Sequence, residues 1–235
     1  PAENLTLLPD GLDESEAVTL ILSYMTAYQM LHRIAKIKEG QSILIHGAGG
    51  AVGLAMLQLA KLHNLTVYGT ASGSKHDLVK KYDGVPIDYR KEDFEQRIQE
   101  LSSGGVDAVF DPIGGRNFKK SFKSLKPGGK LVAFGFYNSV MGKGGSIPLG
   151  FFKILLWNIL PNRKGTNFYS IGGFRRKHPE WFKKDLNELF KLLEKGDIKP
   201  EISGHFTLDK AREVHEKIEK AELKGKIIFD IASFE

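Results

Sequence analysis

The chain has no cysteine, which excludes disulfides, thiolate nucleophiles and cysteine-ligated zinc together. Long apolar runs are missing too. The longest, "IPLGFFKILLWNILP" at residues 147–161, is interrupted by Lys153 and falls short of the roughly 20 residues a membrane-spanning helix needs. No basic start followed by an apolar stretch and a cleavage site opens the sequence, so no signal peptide is expected and the reading is a soluble, cytoplasmic protein. Basic charge is absent from residues 1–32, which carry Glu3, Asp10, Asp13, Glu14 and Glu16. Residues 143–184 are the opposite, their lysines and arginines facing Glu180 alone. Such a stretch reads first as a solvated face; nucleic acid is not expected as a partner, because no recognition motif accompanies the charge.

What is present reads as a globular α/β chain. The 235 residues are 41% hydrophobic and 26% charged, enough to bury a substantial core. A capped helix is expected from Asp13 through Ala35. Strands are then expected at "SILIH" (42–46), "TVYGT" (66–70), "VPIDY" (85–89), "VDAVFD" (106–111) and "KLVAFGF" (130–136). Amphipathic helices fall between them, at 51–63, 74–82, 91–102 and 116–125. Strand and helix in alternation predict a Rossmann-like, doubly wound parallel sheet with helices on both faces. After Tyr137 the rhythm breaks into a glycine-rich loop (138–150), an apolar helix or lid (151–160), and helices at 178–196 and 208–221. A last strand is expected at 225–231.

Gly47, Gly49, Gly50 and Gly53 stand between the first strand and its helix. Glycines there permit a tight turn, let backbone N–H groups approach a pyrophosphate, and allow close helix–strand packing at a positive helix end. In NAD-binding units an acid ends the second strand and holds the ribose hydroxyls. Here that place reads Gly69, Thr70, Ala71, Ser72. The missing carboxylate, with Lys75 and the Ser72 hydroxyl nearby, favours the 2′-phosphate of NADP(H). S-adenosylmethionine remains the competing ligand, since "LKPGGKLV" (125–132) is a turn and strand that methyltransferases often carry. No tyrosine has a lysine four residues later, and neither G-x-S-x-G nor H-E-x-x-H occurs. His46, at the end of the first strand, and His205 read as structural histidines, and no metal site is expected. Tyr28 and Tyr137 could donate a proton to an enone oxygen, but read first as packed aromatics.

Taken together, "LPDGLDESEA", "YMTAYQML", "GQSILIHGAGGAVGLAMLQLAK", "IDYRKEDF", "GVDAVFDPIGG", "SLKPGGKLVAFGF", "GDIKPEI" and "GKIIF" resemble the medium-chain dehydrogenase/reductase superfamily. The resemblance is to its zinc-free quinone oxidoreductase side, with VAT-1-like proteins and their bacterial relatives. It runs over nearly the whole chain and implies particular roles. Thr26 would approach the cofactor from the linking helix, and Gly49, Gly50, Ala51 and Val52 would cradle the pyrophosphate. Ser72, Lys75 and Tyr89 would hold the 2′-phosphate. Ile113 and Gly114, with Phe134, Gly135 and Phe136, would sit beside the ribose and nicotinamide.

Members of this family carry a substrate-side domain before "LPDGLDESEA". The expected layout is therefore a linker (1–12), a dinucleotide-binding domain (13–165) and a C-terminal segment (166–235) that in the family packs on the substrate-side domain. The implied reaction is zinc-independent hydride transfer from NADPH to a quinone or enone, with no protein residue named as catalytic. A homodimer through "FFKILLWNIL" is expected. The alternatives are an S-adenosylmethionine-dependent methyltransferase and a non-catalytic, nucleotide-sensing adaptor whose basic–aromatic segment lies on a membrane surface.

Overall fold

The computed structural model describes residues 5–161, 163–220, 223 and 225–231. Residues 1–4 of the expected linker, and 221, 222, 224 and 232–235 of the expected tail, lie outside them. The described chain opens with one unbroken helical run. Asp13 caps it, accepting from the Glu16 N–H at 2.8 Å. Ordinary α-helix at Glu14–Thr19 (α1) and Met25–Tyr28 (α2) alternates with wider π-helical turns at Leu20–Tyr24 and Gln29–Ala35. The run stops at Lys36, whose φ of 56° takes the left-handed conformation.

Six parallel strands follow: β1 (Ser42–His46), β2 (Thr66–Ala71), β3 (Val85–Asp88), β4 (Val106–Asp111), β5 (Leu125–Ala133) and β6 (Gly165–Phe168). Between them run α3 (Ala51–Leu62), α4 (His76–Lys81), α5 (Phe94–Leu101), α6 (Asn117–Lys123), α7 (Tyr137–Val140) and α8 (Ile147–Ile159). The sheet order is β3-β2-β1-β4-β5-β6, the order of dinucleotide-binding folds, with the switch point between β1 and β4. α9 (Ile171–Lys177) and α10 (Pro179–Glu194) come next, then β7 (Ile202–Thr207), α11 (Ala211–Glu219) and β8 (Lys226–Asp230). β7 and β8 pair with each other in a separate two-stranded sheet.

The near-continuous apolar reading of β1 has a direct cause. Ile43 and Ile45 belong to one buried cluster, with Leu20, Met25, Leu57 and Leu189. Leu44, pointing the other way, joins Tyr68, Val109, Ile98 and Leu131 in a second. A strand covered on both faces needs apolar residues at every position rather than every second one.

The 166–235 stretch divides between two places. Most of β6 and all of α10 lie within the main body, Phe182, Leu186, Leu189 and Leu193 sharing the first cluster, while β7 and β8 stand apart from the six-stranded sheet. α8 begins earlier than the sequence pattern suggested, inside the glycine-rich loop, because Pro148 sits at its first turn, where a missing N–H costs nothing. Phe152, Leu155 and Ile159 on this helix are exposed. Among the described residues no helix is long and apolar enough to cross a membrane.

Candidate functional site

The polypeptide leaves β1 at His46 and turns through Gly47, whose φ of 69° favours glycine. Ala48 donates its N–H to the Thr70 carbonyl at 3.0 Å, and Gly50 donates to the Gly47 carbonyl at 2.9 Å. With Gly50 so engaged, the loop's capacity for phosphate falls to the amides beginning α3. That helix has no side-chain cap, and first-turn N–H groups have no acceptor within their own helix. Gly53 presses this first turn onto the loop: a Cβ there would stand 2.4 Å from the Gly47 carbonyl oxygen and 2.6 Å from Ala48 Cα. Val52 packs against the main core.

Gly49 meets Lys75 directly. A Cβ on Gly49 would lie 2.8 Å from Lys75 Cβ and Cδ, so the lysine stem crosses the glycine loop. Ser72 precedes the short 3₁₀ turn Gly73–Lys75, and its hydroxyl lies 3.2 Å from that of Ser74. A cleft of about 610 Å³ runs along the carboxyl ends of β1, β2 and β4, lined by His46, Gly47, Thr70, Tyr89, Ile113, Asn117 and Tyr137 among others. That volume falls within the range of roughly 300–1,000 Å³ usual for small-molecule sites.

The two loops expected to flank ribose and nicotinamide touch each other. A Cβ on Gly114 would stand 3.1 Å from Phe136 Cα, and one on Gly135 2.8 Å from the Pro112 carbonyl oxygen. The Phe136 side chain turns away into an aromatic cluster with Phe118, Phe151 and Phe168, so at this position the backbone is what remains near the loops. Phe134 is half-buried against the main core. Thr26 is buried at 6% exposure and gives its hydroxyl to Tyr169, whose own proton goes to Gln29 Oε1 at 2.8 Å. Of the expected site residues, Tyr89 and Ile113 line the cleft, whereas Thr26, Gly49, Gly50, Ala51, Val52, Ser72, Lys75, Gly114, Phe134, Gly135 and Phe136 are not in its lining.

Sequence reasoning missed two features. The second strand has no acid at its end, yet the neighbouring strand supplies one: Asp88 pairs in register with Ala71 and is 6% exposed. It accepts from the Arg90 N–H at 3.0 Å, and its Oδ2 would lie 3.3 Å from a Cβ on Gly73. The second is Asp111, fully buried. It accepts from the N–H groups of Ile113 and Gly114 at 2.7 and 3.2 Å and thereby shapes the loop that carries them. The motif "VFDPIGG" contains the aspartate, but nothing local marks it as the loop's anchor.

Cradle, uncapped helix, lysine-crossed glycine and cleft together fit a dinucleotide. Among the described residues no group of three or more histidine, cysteine, aspartate or glutamate side chains could hold a metal ion.

Known proteins share this fold. Residues 83–229 match the family model described as zinc-binding dehydrogenase. The synaptic vesicle membrane protein VAT-1 of Tetronarce californica is 36% identical over 86% of this chain; the chain spans 55% of that relative's length. Among solved structures, the quinone oxidoreductase of Pseudomonas syringae pv. tomato superposes with a TM-score of 0.82 at 26% identity, over 98% of this chain and 69% of that one. A mycobacterial protein complexed with NADPH gives a TM-score of 0.82 at 27% identity, covering 97% of this chain and 68% of that one.

Proposed function

The chain belongs to the medium-chain dehydrogenase/reductase superfamily, through its zinc-binding dehydrogenase family and on the VAT-1 and quinone oxidoreductase branch, and from that premise we propose that it is the NADPH-binding part of a zinc-independent quinone or enone reductase. The observation that carries the proposal is Lys75 lying across Gly49. In this reading the contact joins the glycine loop and the "SGSK" turn in one site, and Lys75 supplies the cation for a 2′-phosphate.

In this reading the first-turn amides of Ala51 and Val52 face the pyrophosphate, with Gly49 and Gly50 giving it room. Ser72, Lys75 and Tyr89 take the 2′-phosphate. Ile113, Gly114, Phe134, Gly135 and the Phe136 backbone border ribose and nicotinamide, and Thr26 acts from behind through Tyr169. When bound, the nicotinamide supplies hydride to an activated double bond or quinone. The chain's part is to bind, orient and exclude water. The family description names zinc, but the described residues do not form a zinc site and no step runs through one. The layout proposed keeps a linker to residue 12 and a tail that packs on a substrate-side domain, but β6 and α10 belong to the cofactor domain's sheet and core, so that domain runs past the expected boundary at 165.

Isothermal titration of this chain with NADPH, NADH and S-adenosylmethionine tests the reading. NADPH is expected to bind at least about tenfold tighter than NADH, a preference that Lys75→Ala removes because a phosphate loses its charge-assisted partner. Uptake of S-adenosylmethionine alone would sink the proposal. Asp88 works against an overwhelming preference, since a carboxylate beside Gly73 repels a 2′-phosphate.

The proposal includes a homodimer. Among the described residues β6 ends the sheet order with one edge unpaired, and the exposed Phe152, Leu155 and Ile159 of α8 lie on the helix that packs beside it. Sedimentation equilibrium is expected to read twice the 26.2 kDa of one chain, and Ile159→Glu to return it to a single copy. A monomer in the unaltered chain would overturn this part.

A further inference from the structure

Behind the glycine loop, polar side chains that the cofactor reading leaves unused form one buried chain. His46 and Thr70 are each 3% exposed, and Ser121 and Asp111 are fully buried. His46 Nδ1 lies 3.0 Å from Thr70 Oγ1, and its Nε2 lies 3.0 Å from Ser121 Oγ. Ser121 donates its hydroxyl to Asp111 Oδ2 at 2.6 Å. Asn117 Nδ2 donates to the same oxygen at 2.9 Å, while Oδ1 accepts from Ile113 and Gly114. Phe94 packs edge-on against the imidazole, 4.5 Å between ring centroids.

Taken as one network, these contacts point to a place for each proton. Four donors converge on Asp111, so it is a carboxylate and can only accept. Ser121 has one proton and gives it to Asp111; its oxygen must therefore accept from His46, which places a hydrogen on Nε2. Burial lowers the basicity of His46 more than the attraction of Asp111 raises it, in keeping with a ring that carries one proton and a bare Nδ1. Thr70 then donates its hydroxyl to Nδ1 and uses its oxygen to accept the Gly47 N–H at 3.3 Å. The chain runs in one direction, from Gly47 through Thr70, His46 and Ser121 to Asp111.

Its location explains its use. The backbone ladder between β1 and β4 ends at the pair Ile45 and Phe110, just before His46 and Asp111. Beyond that point the sheet opens into the crevice where ligands sit, and side chains take over from backbone hydrogen bonds. We propose that His46, as its Nε2–H tautomer, is the positioning residue that holds the Ile113–Asn117 loop in register with the glycine loop. The proposal rests on the reading of the cleft as a dinucleotide site, whose phosphate and ribose contacts it would space.

Long-range ¹⁵N–¹H correlation on histidine-labelled chain tests the tautomer without any nucleotide. A neutral Nε2–H ring at pH 7 is expected; an Nδ1–H or charged ring overturns the proposal. His46→Gln keeps an amide donor within reach of Ser121, whereas His46→Leu and Ser121→Ala do not. In the latter two, the amide signals of Ile113 and Gly114 are expected to shift and NADPH affinity to fall about tenfold, while His46→Gln stays within about threefold. A folded His46→Leu or Ser121→Ala chain with unmoved Ile113 and Gly114 signals would overturn the positioning role. If the unaltered chain shows the tautomer and the loop signals but takes up no NADPH, the cofactor reading fails while the positioning of the loop stands.

Discussion

Gly53→Ala is expected to lower stability by about 2 kcal/mol and to cost the chain its nucleotide binding. The added methyl would stand 2.4 Å from the Gly47 carbonyl oxygen and 2.6 Å from Ala48 Cα and its carbonyl oxygen. All three are backbone atoms, so the overlap is relieved only by moving the loop or the helix. Overpacking of this kind costs about 1–3 kcal/mol, and more when backbone must shift. Alanine is the better helix former by about 1 kcal/mol, which runs the other way but does not cover the clash. Gly49→Ala is the informative contrast. Its methyl meets only the stem of Lys75, at 2.8 Å, and a lysine can swing aside. Stability is then expected to change by less than about 1 kcal/mol, while the NADPH-over-NADH preference proposed above declines. Urea unfolding and nucleotide titration of both variants check the pair. Equal stability losses would mean that the close approach of α3 to its loop is not what holds the cradle.

Arg33→Met is expected to cost about 3 kcal/mol, although it removes only one partly exposed side chain. Its partner is the reason. Asp185 on α10 is 1% exposed and Arg33 26%. Arg33 Nη2 donates to Asp185 Oδ1 at 2.6 Å, and Gln29 Nε2 donates to Oδ2 at 3.0 Å. Hydrogen bonding to Asp185 holds the guanidinium above its ordinary pKa. Removing it leaves a carboxylate in the core near Tyr169 with the neutral Gln29 amide but no cation, and a buried charge without an opposite charge is far costlier than the pair is worth. The exposed side of Arg33 screens part of the attraction, so most of the loss is the stranded charge. Adding Asp185→Leu to Arg33→Met is accordingly expected to recover part of the stability, and a double-mutant cycle in urea measures the coupling. A single-variant loss below about 1 kcal/mol would remove the argument. The pair matters to the site because the same network reaches Thr26 through Tyr169 and Gln29, tying α10 to the helix behind the cofactor loop.

The strand–helix alternation from residue 42 to 133 was legible because each element there satisfies its own periodicity. β1 to β4 and the helices between them lie within a few residues of their expected places. Where that local signal is weak, the reading stopped short. β6 is only "GTNF", with no alternating apolar pattern, and becomes a strand by pairing with β5, Thr166 opposite Leu131 and Phe168 opposite Ala133. β7 was likewise unread; its exposed and half-buried residues alternate over six positions, and it is recognised only through its pairing with β8. The two π-helical stretches carry no glycine or proline to announce them. In the site, the glycine loop and Lys75 stood out because their signals lie within about 30 residues of one another. Asp88 did not, since it belongs to the next strand and reaches the second strand's end only through the register of β2 and β3.

The sequence by itself determined the class of fold, the glycine loop between β1 and α3, the absence of a carboxylate at the end of β2, and the family. These are properties of short windows, where spacing sets both backbone conformation and which face is apolar. Only the tertiary structure decided how the loops are held. His46 meets Ser121 across 75 positions of sequence, and Arg33 meets Asp185 across 152. A buried polar group is stable only when a partner arrives, and folding alone brings partners so far apart in the chain within hydrogen-bond reach.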